Sequence, residues 1–137
     1  MRKATMLFII VLGLALAIGC ASISPTPLPI TNETDLRGVW DGTWQSVGGR
    51  GAFELEIRSA PPRYNGTVVW YGLAKGTTSF PFFGRMENGA IIHQIIYQGS
   101  RGGWIRFSLA ESNGKLVLHG SYQEPGYLDA TIVLYKK

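Results

Sequence analysis

The sequence predicts an all-β domain, an antiparallel up-and-down meander barrel of about eight strands, and three observations carry that expectation. Apolar and polar residues alternate with a period of two in several short segments. Turn signals rich in Gly, Asn and Pro separate these segments at hairpin spacing. No stretch of the domain has a helical period.

The segments follow in order. The first lies near 37–46 and carries Trp40 and Trp44. In the second, near 51–58, Phe53, Leu55 and Ile57 alternate with Glu54, Glu56 and Arg58, as a half-buried strand requires. The third and fourth lie near 66–73 and 79–86, and the fifth near 90–98. Near 104–111, Ile105, Phe107 and Leu109 share a face, and near 115–123 so do Leu116, Leu118, Gly120 and Tyr122. The last segment, near 128–136, sets Ala130, Ile132 and Leu134 against Thr131, Val133 and Tyr135. Between the segments stand Gly48-Gly49-Arg50-Gly51, Pro61-Pro62, Glu87-Asn88-Gly89, Gly99 to Gly103, Asn113-Gly114 and Pro125-Gly126. Consecutive hairpins make a meander, and a meander has two exposed edges unless it closes on itself. A β-sandwich is the alternative, but it calls for a longer crossover than Gly72 to Ser79 supplies.

Residues ahead of this domain read differently. Arg2 and Lys3 precede an apolar run from Ala4 to Ile18 that ends in Gly19. A positive start, a short apolar core and a small-residue end form the pattern of a cleaved secretory signal over 1–19. The run falls short of the ~20 apolar residues of a membrane-spanning helix. The chain's one cysteine, Cys20, stands where the run stops. Leu16-Ala17-Ile18-Gly19-Cys20 resembles the lipobox of bacterial lipoproteins, although Ala17 stands where that family usually has Leu. The resemblance implies diacylation of Cys20, cleavage before it and acylation of the new amine, hence a palmitate-type lipid anchor. Two or three acyl chains hold a protein stably on a membrane where one binds marginally. Ala21, in place of the Asp that favours inner-membrane retention in enteric members, implies an outer-membrane position facing the periplasm. Residues 20–35 follow as the lipidated Cys and a tether rich in Pro, Ser and Thr, with Pro25, Pro27 and Pro29 enforcing an extended chain.

Residues 36–137 then form one domain with a single core. The formal charge of +4 includes Arg2 and Lys3 and becomes +2 without them. The remaining basic residues are scattered, which speaks against a nucleic-acid partner.

The stretch Gly38-Val39-Trp40-Asp41-Gly42-Thr43-Trp44 opens the meander with a doubled Gly-x-Trp. It resembles the first strand of the calycins, the group of lipocalins, fatty-acid-binding proteins and avidins. The resemblance implies barrel-end packing for Trp40 and Trp44. Lipocalins append a helix after the barrel, and fatty-acid-binding proteins insert two helices after the first strand. Lys137 closely follows the last segment here, and Val47 to Arg50 leave no room for an insertion. The likeness to avidins is greater, but Ser46 and Arg50 stand at places where avidins hold biotin with other residues, so only the architecture carries over.

No catalytic constellation appears. His93 and His119 fall on non-neighbouring segments and read as rim or surface histidines rather than metal ligands. Glu54 and Glu56 read as a solvated face. No nucleophile elbow or phosphate-binding glycine loop is present. The aromatic load is the remaining lead. Trp70, Trp104, Tyr97 and Tyr122 are the candidate ligand-binding residues, and Gly120 and Gly72 the positions that would open a cavity. The expectation is a non-enzymatic, membrane-anchored envelope lipoprotein that needs no cofactor or metal. It binds a small apolar ligand or lipid in its barrel; the alternative is a filled barrel that engages an envelope protein partner. Replacing Cys20 with Ser should abolish acylation and block maturation. Labelled palmitate fed to a bacterial host checks this, and label on the Ser variant refutes the anchor.

Overall fold

The computed structural model describes residues 24–59, 61–97 and 100–137, with the backbone alone described at 96, 97, 100 and 101. The expected signal 1–19 and Cys20 lie outside the described residues. Nine strands are present: β1 (Thr26–Leu28), β2 (Gly38–Ser46), β3 (Gly49–Ile57), β4 (Arg63–Leu73), β5 (Gly76–Glu87), β6 (Ala90–Tyr97), β7 (Ser100–Ser112), β8 (Lys115–Gln123) and β9 (Ala130–Lys136). From β2 to β9 each strand pairs antiparallel with the next, and β9 returns to β2. The result is a closed, eight-stranded up-and-down barrel with one added strand, not a sandwich.

Local chemistry sets the turns. Asn88-Gly89 and Asn113-Gly114 have positive φ at both residues (50° and 73°, 53° and 73°), the conformation that matches a two-residue loop to the twist of its flanking strands. The stretch between Gly72 and Ser79 is no crossover: Leu73 pairs with Gly76 across Ala74-Lys75. Gly102 and Gly103, expected in a turn, lie inside β7. A Cβ on Gly103 would stand 2.2 Å from the Gln123 carbonyl oxygen, so glycine serves there for close approach to β8.

Alternation along each strand fills the inside. Trp40, Phe53, Leu55, Ile57, Val68, Phe82, Ile91, Ile105, Phe107, Leu118, Ile132 and Leu134 are all buried. The small inward positions hold their neighbours rather than space. A Cβ on Gly120 would come within 2.7 Å of the Phe107 ring, and one on Gly84 within 2.4 Å of Ile91. The other expected cavity position, Gly72, takes a positive φ (76°) near the β4–β5 hairpin.

The two ends of the barrel differ. The chain expected as a free spacer is part of the folded body from Thr26 onward. β6 pairs with β7 only from Ile91↔Phe107 onward, and β1 occupies the edge left beyond it, with Thr26 opposite Glu111 and Leu28 opposite Leu109. The following segment passes around this capped end. Ile30 donates its N–H to the Gly89 carbonyl (3.0 Å), and the Thr34 carbonyl accepts the Tyr64 hydroxyl (3.2 Å). Ile30 and Leu36 join the core. At the far end lie the β2–β3, β4–β5 and β6–β7 connections and the loop 124–129.

Burying one isoleucine is worth about 1.5–3 kcal/mol. A chain starting at Leu36, without β1 and Ile30, should therefore melt roughly 6–12 °C below one starting at Ser24. Equal melting curves by circular dichroism would show that the cap contributes nothing.

Candidate functional site

Two features of the barrel carry unusual chemistry: the aromatic cluster at the far end and a histidine inside the wall. At the capped end, Trp40 is fully buried and donates its indole N–H to the Leu36 carbonyl (2.9 Å), with the Lys136 ammonium 5.7 Å above its ring. Trp44, four residues on, reaches the far end and donates to the Tyr71 carbonyl (2.7 Å). Both tryptophans pack at barrel ends, one at each.

Trp70 is the hub of the far-end cluster. Its ring makes edge-to-face contacts with Tyr122 (5.0 Å between centroids), Phe53 (5.2 Å) and Trp44 (5.8 Å). Such contacts add to the burial of the rings themselves. The Trp70 indole N–H is buried without a hydrogen-bond acceptor among the described residues, a costly state for a polar group. The Tyr122 hydroxyl donates to the Glu124 carboxylate. Trp70 and Tyr122 are thus brought together by the fold, as plugs in mutual contact. Trp104 is not: alternation with buried Ile105 and Phe107 puts it on the outer face, half-buried and mid-strand. Tyr97 lies on β6, and its side chain is outside the described atoms.

Around this plug the rim is apolar. Val47 (92% exposed), Tyr127 (64%) and Leu128 (56%) stand on adjacent connections, since Ser46 pairs with Ala130 and Leu128 reaches over Gly48. A shallow groove of about 510 Å³ beside them is lined by Thr43, Trp44, Gln45, Arg50 and Gly51.

No family model, curated protein or solved structure matches this chain.

His93 departs from the rim or surface position expected of it: it is 3% exposed and faces inward. Its neighbours Ile91 and Ile95 share its parity and carried that signal in the sequence. His119 faces solvent on β8, so the fold does not bring the two rings together. Among the described residues no group of three or more side chains is placed to hold a metal ion. Glu56 and Glu54 stand on the outside and pair with Arg58 and Lys137.

The location of His93 follows from a break in the wall. β5 and β6 pair only from Gly84↔His93 to Glu87↔Ala90, and β6 shifts register on β7 after Gln94. At the break, His93 Nδ1 accepts the Phe83 N–H (3.0 Å) that a β6 carbonyl would otherwise take. The imidazole stacks on Phe82 (5.0 Å, 28°) and Phe80 (5.7 Å, 17°).

Burial holds the His93 pKa below its ordinary 6.5, opposed in smaller measure by the Phe83 carbonyl oxygen, 3.3 Å from Nδ1, to which the protonated ring would donate. The unfolded chain takes up this proton near its ordinary value and the folded chain only at lower pH. Stability therefore falls as pH drops below about 6.5 and levels off once the folded ring is protonated. His93→Gln should flatten that part of the dependence of Tm on pH. An unchanged slope between about pH 7 and pH 5 would remove His93 as its source.

Proposed function

We propose that this chain is a membrane-anchored bacterial lipoprotein, non-enzymatic, whose calycin-like barrel is solid and serves as an interaction module for an envelope protein partner. Its proposed place is the outer membrane, facing the periplasm, held by acyl chains on Cys20. The signal-like N-terminus and the lone cysteine support the anchor.

The observation that carries the interaction reading is the filled interior. From Trp40 at one end to Trp44, Trp70 and Tyr122 at the other, the axis is occupied by buried rings. An eight-stranded barrel encloses only enough room for side chains or one small ligand. With rings in that room, surface remains for recognition. Val47, Tyr127 and Leu128 form a clustered apolar rim of the kind that marks protein contacts. The ligand reading keeps one point in its favour, the unsatisfied Trp70 N–H, a donor that a polar atom of a small molecule would satisfy.

A photo-crosslinking residue at Val47 or Leu128 in living cells should yield one discrete adduct, absent when the same residue is placed at Thr131 on the outer wall. Tyr127→Asp should remove the adduct without lowering Tm, because Tyr127 is solvent-exposed. Retained lipid in the purified protein, or a blue shift of tryptophan emission with fatty acids, would instead favour a ligand in the barrel.

A further inference from the structure

The capped end carries a second groove, of about 590 Å³, lined by Lys115, Leu116, Tyr135, Lys136 and Lys137. Its place relative to the N-terminal chain gives it a meaning. Thr26 pairs with Glu111 at the end of β7, so the chain leaves the barrel beside the β7–β8 hairpin. Cys20 lies six residues before Thr26. Six residues span at most ~20 Å when fully extended. β7, β8 and β9 follow β1 in order around the wall, with Ser112 opposite Lys115 and Val117 opposite Tyr135. Neighbouring strands lie ~4.8 Å apart, which puts the groove roughly 10–15 Å from Thr26 along the rim. A chain acylated at Cys20 has no length with which to turn this end away from the bilayer.

We infer that the capped end rests on the membrane and that this groove receives the headgroups of anionic phospholipids. The inference rests on the lipid-anchor reading of Cys20. Charge and shape agree with it. Lys115 and Lys136 have no carboxylate at ion-pair distance among the described residues, the Lys136 ammonium lying over the Trp40 ring, while Lys137 is shared between Asp41 (3.2 Å) and Glu54 (3.6 Å). Glu111, opposite Leu116, and Asp35, which is paired with Arg37 (2.6 Å) and also feels the Lys136 charge, are acidic groups beside it. Tyr135 is 47% exposed, and Leu116 packs partly into the core. Lysine stems and a tyrosine ring over an apolar floor suit an interface with hydrocarbon below and charge above. The apolar rim with Val47 and Leu128 lies at the opposite end and so points away from the bilayer.

The test uses the full mature protein, reconstituted in phosphatidylcholine vesicles with or without one third phosphatidylglycerol. Acylation of Cys20 leaves an introduced cysteine as the sole free thiol. A fluorophore on Ser112→Cys, at the capped end, should be quenched by headgroup-labelled lipid, and one on Ala74→Cys, at the far end, should not. Phosphatidylglycerol should increase the Ser112 signal several-fold, and Lys115→Glu with Lys136→Glu should return it to the phosphatidylcholine level. Intact mass is read first. A chain without acyl groups overturns the anchor and this inference with it. An acylated chain quenched equally at both sites overturns the orientation alone. Quenching at Ser112 that ignores phosphatidylglycerol and both Lys variants overturns the headgroup site.

Discussion

Everything in this molecule depends on the ladder between β2 and β9, which joins opposite ends of the domain from Trp40↔Lys136 to Ser46↔Ala130. A meander without that ladder has two free edges and no inside. With it, the parity of every strand acquires a meaning, because one face now looks into a space of fixed size. Gly42 shows how tightly the ladder is drawn. A Cβ there would stand 1.9 Å from the Val133 carbonyl oxygen, so β2 and β9 meet at a distance only glycine permits. The pairing is also the most non-local in the barrel, of the kind that makes β folding slow.

Closure creates a volume, and the sequence fills it with rings. Phe53 touches both Trp70 and Phe107, and Phe107 touches Phe82, so a chain of edge-to-face contacts crosses from the far-end plug to the middle of the core. Glycines at inward positions make room for those rings rather than for a guest. Gly120 admits Phe107, and Gly84 admits Phe82 and Ile91. A densely packed interior resists deformation and gives the wall a fixed shape. The two ends then differ, one overlain by the segment around Ile30 and Leu36, the other bearing exposed apolar side chains.

The strand pattern was legible because each signal was local. Alternation through Phe53, Leu55 and Ile57 needs only neighbouring residues, and Asn88-Gly89 and Asn113-Gly114 specify their turns by backbone preference alone. Three features were not legible, each for a reason of distance. Thr26–Leu28 has the composition of a spacer and becomes a strand because β6 leaves an edge of β7 uncovered, something set by a different part of the chain. Gly102-Gly103 reads as a turn until the approach of Gln123 explains it. Those same glycines put Trp104 at a strand start in the sequence; because β7 begins at Ser100, its parity with respect to Phe107 sends it outward. His93 could have been placed inside by its parity with Ile91, but its role at the wall break depends on where β5 and β6 part.

That parting gives the barrel its least uniform region. β5 continues to Gly76 paired with β4 alone, so on its other side the backbone from Gly76 to Phe83 has no strand partner among the described residues. The sequence limits the exposure in two ways. The Phe83 N–H points across the gap and is taken by His93. Pro81 has the same parity as Phe83, so the donor it lacks is one that would have faced the gap. An unpaired edge invites pairing with foreign strands, and proline and side-chain acceptors are ways of blunting it. Among the described residues this seam lacks strand pairing over that stretch, and local opening in a folded domain starts where backbone hydrogen bonds are fewest. The stack of Phe80, Phe82 and His93 lies directly behind it, so the same rings that complete the core also hold shut a stretch of wall that strand pairing leaves open among the described residues.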